Sequence, residues 1–140
     1  MSTLEQLATR LESLSERLED DVNSAKIDAA IAIVQSFGEH TPVDTGRHVS
    51  SWEAGVNHRP SGDRPAFVPG DGGGSARQMV SRNILVIKGA QPGDRIFISN
   101  SAPAIKQLNE GASGQETGGF VQRAVGEGQR SIQRHHWDIS

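Results

Sequence analysis

The chain has 140 residues, a formal net charge of −3 and no cysteine. That length predicts one domain, the missing cysteine removes disulfides, thiolate metal sites and cysteine nucleophiles together, and the mildly acidic balance argues against a dedicated duplex-DNA binder. Apolar residues are 34% and aromatics 4%, with no tyrosine, so the core is expected to be thin and to gain from partner subunits.

Residues 2–37 read as helix. Ser2 and Glu5 form a capping-box pair. Leu4, Leu7, Leu11, Leu14 and Leu18 then follow at alternating spacings of three and four, an a/d seam made for another helix. Val22, Ala25, Ala29, Ala32 and Ile33 continue the apolar face, and Gly38 is expected to close it as a C-cap. A break near Asp21–Ser24 is one alternative, because Asp and Asn prefer caps to helix interiors. About 36 residues at ~1.5 Å each would make a rod of roughly 54 Å. A compact globule of this size is under ~40 Å across. Either the helix kinks, or another copy or another protein buries its leucine seam.

Thr41-Pro42-Val43-Asp44-Thr45-Gly46 is a turn by its Pro, Asp and Gly. Residues 47–56 alternate and read as a strand around Trp52. Residues 57–74 hold three prolines and five glycines and read as a long flexible loop. Ser75 is expected to cap a helix at 76–88, closed by Gly89; its end, Ile84–Ile87, also fits a strand, and the punctuation favours helix. Gln91–Asp94 is a turn and 95–100 a strand. A short helix at 102–110 ends at Gly111. Residues 111–119 form a second flexible loop, and 120–134 a last helix that Gly126 and Gly128 weaken by about 1 kcal/mol each.

The expected architecture is α+β. It comprises a long N-terminal helix (segment 1–37), a small antiparallel sheet with two or three further helices packed on it, and long Gly/Pro-rich loops, all in one domain spanning 1–140. No run approaches the ~18 consecutive apolar residues of a membrane span. Residues 1–20 lack the basic and apolar regions of a signal peptide. A soluble chain with no membrane partner is expected.

Chemistry-bearing motifs are scarce. His40, His48, His58, His135 and His136 lack metal-ligand spacing and read as surface histidines. No nucleophile elbow opens a helix after a strand. Gly72-Gly73-Gly74-Ser75 resembles an anion-binding helix start but lacks the G-K-[ST] ending of a phosphate loop. No catalytic, cofactor-binding or metal residue is assigned, and neither enzymatic activity nor a cofactor is expected. Arg59, Arg64 and Arg77 gather near the long loop and Arg123, Arg130 and Arg134 on the last helix, opposite in sign to the acidic N-terminal segment. Solvated faces, with complementary charge between subunits, account for that.

Two segments are familiar together. One is Thr41-Pro42-Val43-Asp44-Thr45-Gly46-Arg47 running on to Trp52. The other is Gly93-Asp94-Arg95-Ile96-Phe97-Ile98-Ser99-Asn100 leading into Ala102-Pro103, then Asn109-Glu110-Gly111 and Gly119-Phe120-Val121. In order and spacing, over roughly residues 25–134, the chain resembles the small neck proteins of tailed bacteriophages, of the head–tail connector, tail-completion or minor tail protein type. It departs from that pattern at Ala104, where the family often has tyrosine, and at Leu108-Asn109-Glu110, which lacks an aromatic. The resemblance implies a non-enzymatic virion component, assembled in the host cytoplasm. Its copies would form or decorate a ring with other neck, portal-side or tail-terminator proteins, close to genomic DNA.

The resemblance also gives each motif a structural role. Pro42, Asp44 and Gly46 would set the turn, Trp52 would fill core, and Asn100 would cap the short helix. Pro103, Gly111 and Phe120 would punctuate the helices. Interface candidates are Leu4, Leu7, Leu11, Leu14 and Leu18, with Arg47 expected on an intersubunit carboxylate and Arg59 and Arg64 the arginines able to turn inward. The competing expectation is a small dimeric nucleic-acid-binding or antitoxin-like regulator that dimerises through the leucine heptad.

Overall fold

The structure, a computed structural model, describes residues 3–43, 46–111 and 119–137. Ser2, Asp44 and most of the 111–119 loop lie outside the described residues, and with them the capping box, the Asp44 turn and that loop's expected flexibility.

Helix α1 runs unbroken over Thr3–His40. The alternative of a break at 21–24 does not occur, and Gly38 is not the expected stop. Asp21 stays helical and bonds the His135 ring through Oδ1–Nε2 at 2.7 Å. At Gly38 a Cβ would lie 2.6 Å from Val80 Cγ2. The glycine is there so that a neighbouring helix can approach, and not to end its own. The last turn closes with Thr41 N–H donating to Phe37 O at 3.0 Å.

The expected strand at 47–56 divides in two. Gly46 is left-handed (φ 74°) and opens a helical turn, α2 (Arg47–Ser50). Only Glu53–Val56 forms strand β1. It pairs antiparallel with β2 (Ile96–Ser99), from Glu53↔Ser99 to Val56↔Ile96. Between them, α3 spans Gly72–Lys88 and starts four residues before the expected 76. Asp71 is its cap, accepting from Gly74 N at 2.8 Å, and Ser75 is buried inside the first turn. Three glycines in that turn have poor helix propensity, which hid the start. The alternative of a strand at 84–87 does not occur.

Helix α4 covers only Ile105–Asn109 and follows a left-handed Ala104 (φ 68°). Asn100 does not cap it. Asn100 Oδ1 accepts from Ala102 N at 3.0 Å and Nδ2 donates to His48 O at 2.8 Å, tying the end of β2 to α2. Helix α5 spans Phe120–Arg134 as expected. Arg123 meets His40 and His135 meets Asp21, so α5 lies antiparallel along the C-terminal half of α1.

The core is small and sits between α1, α3, α5 and β1. Val34, Phe37, Val49, Trp52, Met79, Ile87, Phe120 and Ala124 are buried there. Trp52 stacks on Phe37 with ring centroids 3.5 Å apart, meets Phe120 edge-on, and donates its indole N–H to Thr41 Oγ1 at 2.9 Å. Buried Trp is normally satisfied in this way.

Candidate assembly surface

Two surfaces stand out. The first is the N-terminal arm. Residues 3–20 of α1 are all exposed, so they project beyond the domain as a helix of about 27 Å. Their seam is bare: Leu4, Leu7, Leu11, Leu14 and Leu18 expose between 36% and 78% of their surface. Soluble monomers rarely leave such a row uncovered.

The second surface begins where the arm ends. Past Leu18 the same face of α1 continues as Val22, Ala25, Ala29 and Ile33. Here it becomes the floor of an open groove of 610 Å³, bordered by Ile96 and Ile98 of β2 and by Ile132 and Trp137 at the end of α5. Ile132 and Trp137 are 46% and 40% exposed.

The loop at 57–71 is tied to the domain by fully buried serines. Ser50 Oγ accepts from Phe67 N at 3.0 Å, Ser51 Oγ pairs with the backbone of Arg64, and Ser75 Oγ with that of Val68. A Cβ at Gly46 would come 2.7 Å from Ser75 Oγ, so a turn glycine and this serine share one tight corner. The sequence gives no tie of this kind to Ser50, Ser51 or the buried Asn83, and marks Ser75 only as a helix cap. Their one sequence signal was small polar residues beside Trp52 and beside the glycine run, a pattern shared by many loops.

The arginines are placed differently from expectation. Arg47 pairs within the chain, its Nη2 at 3.0 Å from Asp63 Oδ1, so a carboxylate of its own loop takes the partner expected from a neighbour. Arg64 does not stand free to turn inward either. Its guanidinium lies 3.2 Å over the Phe67 ring, with Arg82 5.7 Å from the same ring. Burial, and then the Arg82 charge, push its pKa down. Arg59 is exposed.

The histidines serve separate contacts. His48 meets Pro103 O, His58 meets Val56 O, His40 meets Arg123, and His135 meets Asp21 while its ring packs edge-on against Trp137. His135 is thus a pin between the C-terminal segment and α1, and not the solvated side chain expected. Among the described residues no three His, Asp or Glu side chains gather to hold a metal ion, and no helix is long and apolar enough to cross a membrane. The dominant feature of this surface is uncovered apolar area on a rigid rod.

No protein-family model, no curated protein and no solved structure matches the chain.

Proposed function

We propose that this chain is a structural, non-enzymatic subunit of the neck of a tailed bacteriophage. Its copies associate in a ring that joins the DNA-filled head to the tail, alongside portal-side or tail-terminator proteins. The observation that carries the reading is the bare leucine arm on a domain whose polar groups are spent on internal ties. A catalytic protein concentrates perturbed, convergent groups in a cleft. An assembly subunit instead spends its surface on partners.

The resemblance motifs support the same reading, because each has a structural task. Gly46 supplies the left-handed turn before α2, Trp52 fills core, and Asn100 ties β2 to α2. Left-handed Gly119 precedes the buried Phe120 of α5. None of these needs a cofactor or a bound substrate.

The test is imaging of particles. Gold-labelled antibody against the chain should mark the head–tail junction of virions, and particles made without the chain should accumulate as separate filled heads and tails. Label elsewhere, or normally joined particles without the chain, would overturn the proposal.

A further inference from the structure

We infer that the N-terminal arm of one copy seats its leucine seam in the α1–β2–α5 groove of a second copy. The inference deepens the self-assembly part of the proposed function and names the surfaces that meet.

Exposure supplies the first observation. The large exposed apolar residues are Leu4, Leu7, Leu11, Leu14, Leu18, Val22, Leu85, Val86, Val125, Ile132 and Trp137. Eight of these eleven, all but Leu85, Val86 and Val125, lie on the arm seam or at the groove. Most of the large exposed apolar side chains thus fall on one donor surface and one acceptor surface.

Connectivity keeps the arm out of its own groove. Seam and groove floor are successive stretches of one face of one unbroken helix, Thr3–His40. A straight rod cannot fold back onto its own face. The arm therefore cannot fill its own groove, and an arm that seats there comes from another molecule.

Charge selects a second copy. Residues 3–20 carry five acids (Glu5, Glu12, Glu16, Glu19, Asp20) against Arg10 and Arg17, a net −3, equal to the charge of the whole chain. The remainder is therefore neutral and does not repel the arm. The charged residues bordering the groove are Lys26, Arg95 and Asp94, a local +1. The Asp94 carboxylate is engaged by Asn57 Nδ2 at 2.9 Å and Gln91 N at 2.8 Å, and Lys26 Nζ donates to Asp94 O at 2.7 Å and Gln91 O at 3.1 Å, which leaves the exposed Arg95 to face the arm's glutamates. The dimensions agree as well. The floor from Val22 to Ile33 is about 17 Å long, enough for three of the arm's leucines on a helix of about 27 Å. A donor surface meeting a different acceptor surface is a heterologous contact, which closes into rings when its rotation permits.

Because the chain has no cysteine, single introduced thiols report contacts directly. Leu11→Cys (arm) and Ile132→Cys (groove) change exposed residues. The two full-length variants are mixed, one of them isotope-labelled, oxidised mildly and analysed by mass spectrometry. A disulfide needs Cα atoms within about 7 Å. The expected product is the 11–132 disulfide between labelled and unlabelled chains, several-fold above either homodisulfide. Adding Leu7→Glu with Leu14→Glu should abolish it while circular dichroism stays helical. A dominant 11–11 product would mean that arms pair side by side, and overturns the inference. So does a monomeric mass by light scattering with no cross-link, or assembly that appears only when another virion protein is added. If either thiol variant fails to fold, Leu7→Cys with Trp137→Cys asks the same question. Cross-linking of a chain absent from necks would sink the neck reading and leave this inference standing; a neck-located monomer would do the reverse.

Discussion

Gly128 of α5 lies directly against Ile33 of α1, where a Cβ on the glycine would come 2.8 Å from Ile33 Cδ1 and 2.9 Å from Cγ1. Gly126, one half-turn away, meets only the Arg130 guanidinium, at 3.6 Å. Both glycines carry the same helix-propensity penalty, about 1 kcal/mol relative to alanine. Only one is required by contact. Gly126→Ala is expected to stabilise the chain by about 1 kcal/mol. Gly128→Ala should lose that gain to overpacking of about 1–3 kcal/mol. Chemical denaturation of the two variants checks this, and equal stabilisation by both would mean that α5 does not pack on α1 as described.

Asn83 is 2% exposed and satisfies two backbone groups at once. It accepts from Ala54 N at 3.1 Å and donates to Trp52 O at 2.8 Å. A buried backbone group left without a partner costs about 1–3 kcal/mol. Asn83→Ala strands both and should destabilise the chain by about 2–4 kcal/mol in a denaturant titration. Asn83→Asp keeps the acceptor but sets a buried carboxylate against the Trp52 carbonyl, so near neutral pH it should destabilise at least as much as alanine.

Asp94 makes the turn at 91–94 sensitive to acid. The Asn57 amide, then the Gln91 N–H, hold the Asp94 carboxyl below its ordinary pKa. A depressed carboxyl pKa means the unfolded chain takes up the proton first as pH falls. The stabilisation is therefore present above about pH 4, the unfolded value, and is lost as pH drops through the lower folded value. An NMR titration should place the Asp94 midpoint below that of an ordinary aspartate. Protection factors in the turn, corrected for the intrinsic pH dependence of amide exchange, should fall below about pH 4, and Asp94→Asn should remove that fall.

Periodic and punctuated features of this fold were legible in the sequence; features that depend on distant neighbours were not. The leucine spacing marked α1, and Gly119-Phe120 marked the start of α5. Gly38 read as a stop because a lone glycine after a helical run usually is one. That it instead admits Val80, forty-two residues on, is invisible locally. The alternation at 47–56 suggested strand, yet left-handed Gly46 starts a helical turn there. At the candidate assembly surface, the arm was legible through its heptads. The groove was not, because β2 and α5 bring its walls to α1 from far along the chain. Arg47 was expected on a neighbour's carboxylate, and its partner Asp63, sixteen residues on, is brought to it only by the fold of the loop.

The last prediction concerns DNA. A ring bordering the genome's path must let a polyanion slide, and each phosphate contact adds salt-dependent affinity that opposes sliding. The chain's charge of −3 and the placement of its loop arginines both disfavour grip. Arg47 is committed to Asp63 and Arg64 to the Phe67 face, which leaves Arg59 as the exposed arginine of that loop. The purified chain should show no measurable duplex affinity at physiological salt. Arg59→Ala should change neither stability nor assembly. Arg64→Ala should cost about 1 kcal/mol, because it removes a cation–π contact and the apolar stem beneath it. The cost stays modest because Nη1 of Arg64 is buried without a hydrogen-bond partner, so no bond is lost there. Fluorescence anisotropy with a labelled duplex and denaturant titration of the two variants test this together. A micromolar duplex complex with a steep salt slope, weakened by Arg59→Ala, would replace the structural reading with that of a nucleic-acid-binding regulator.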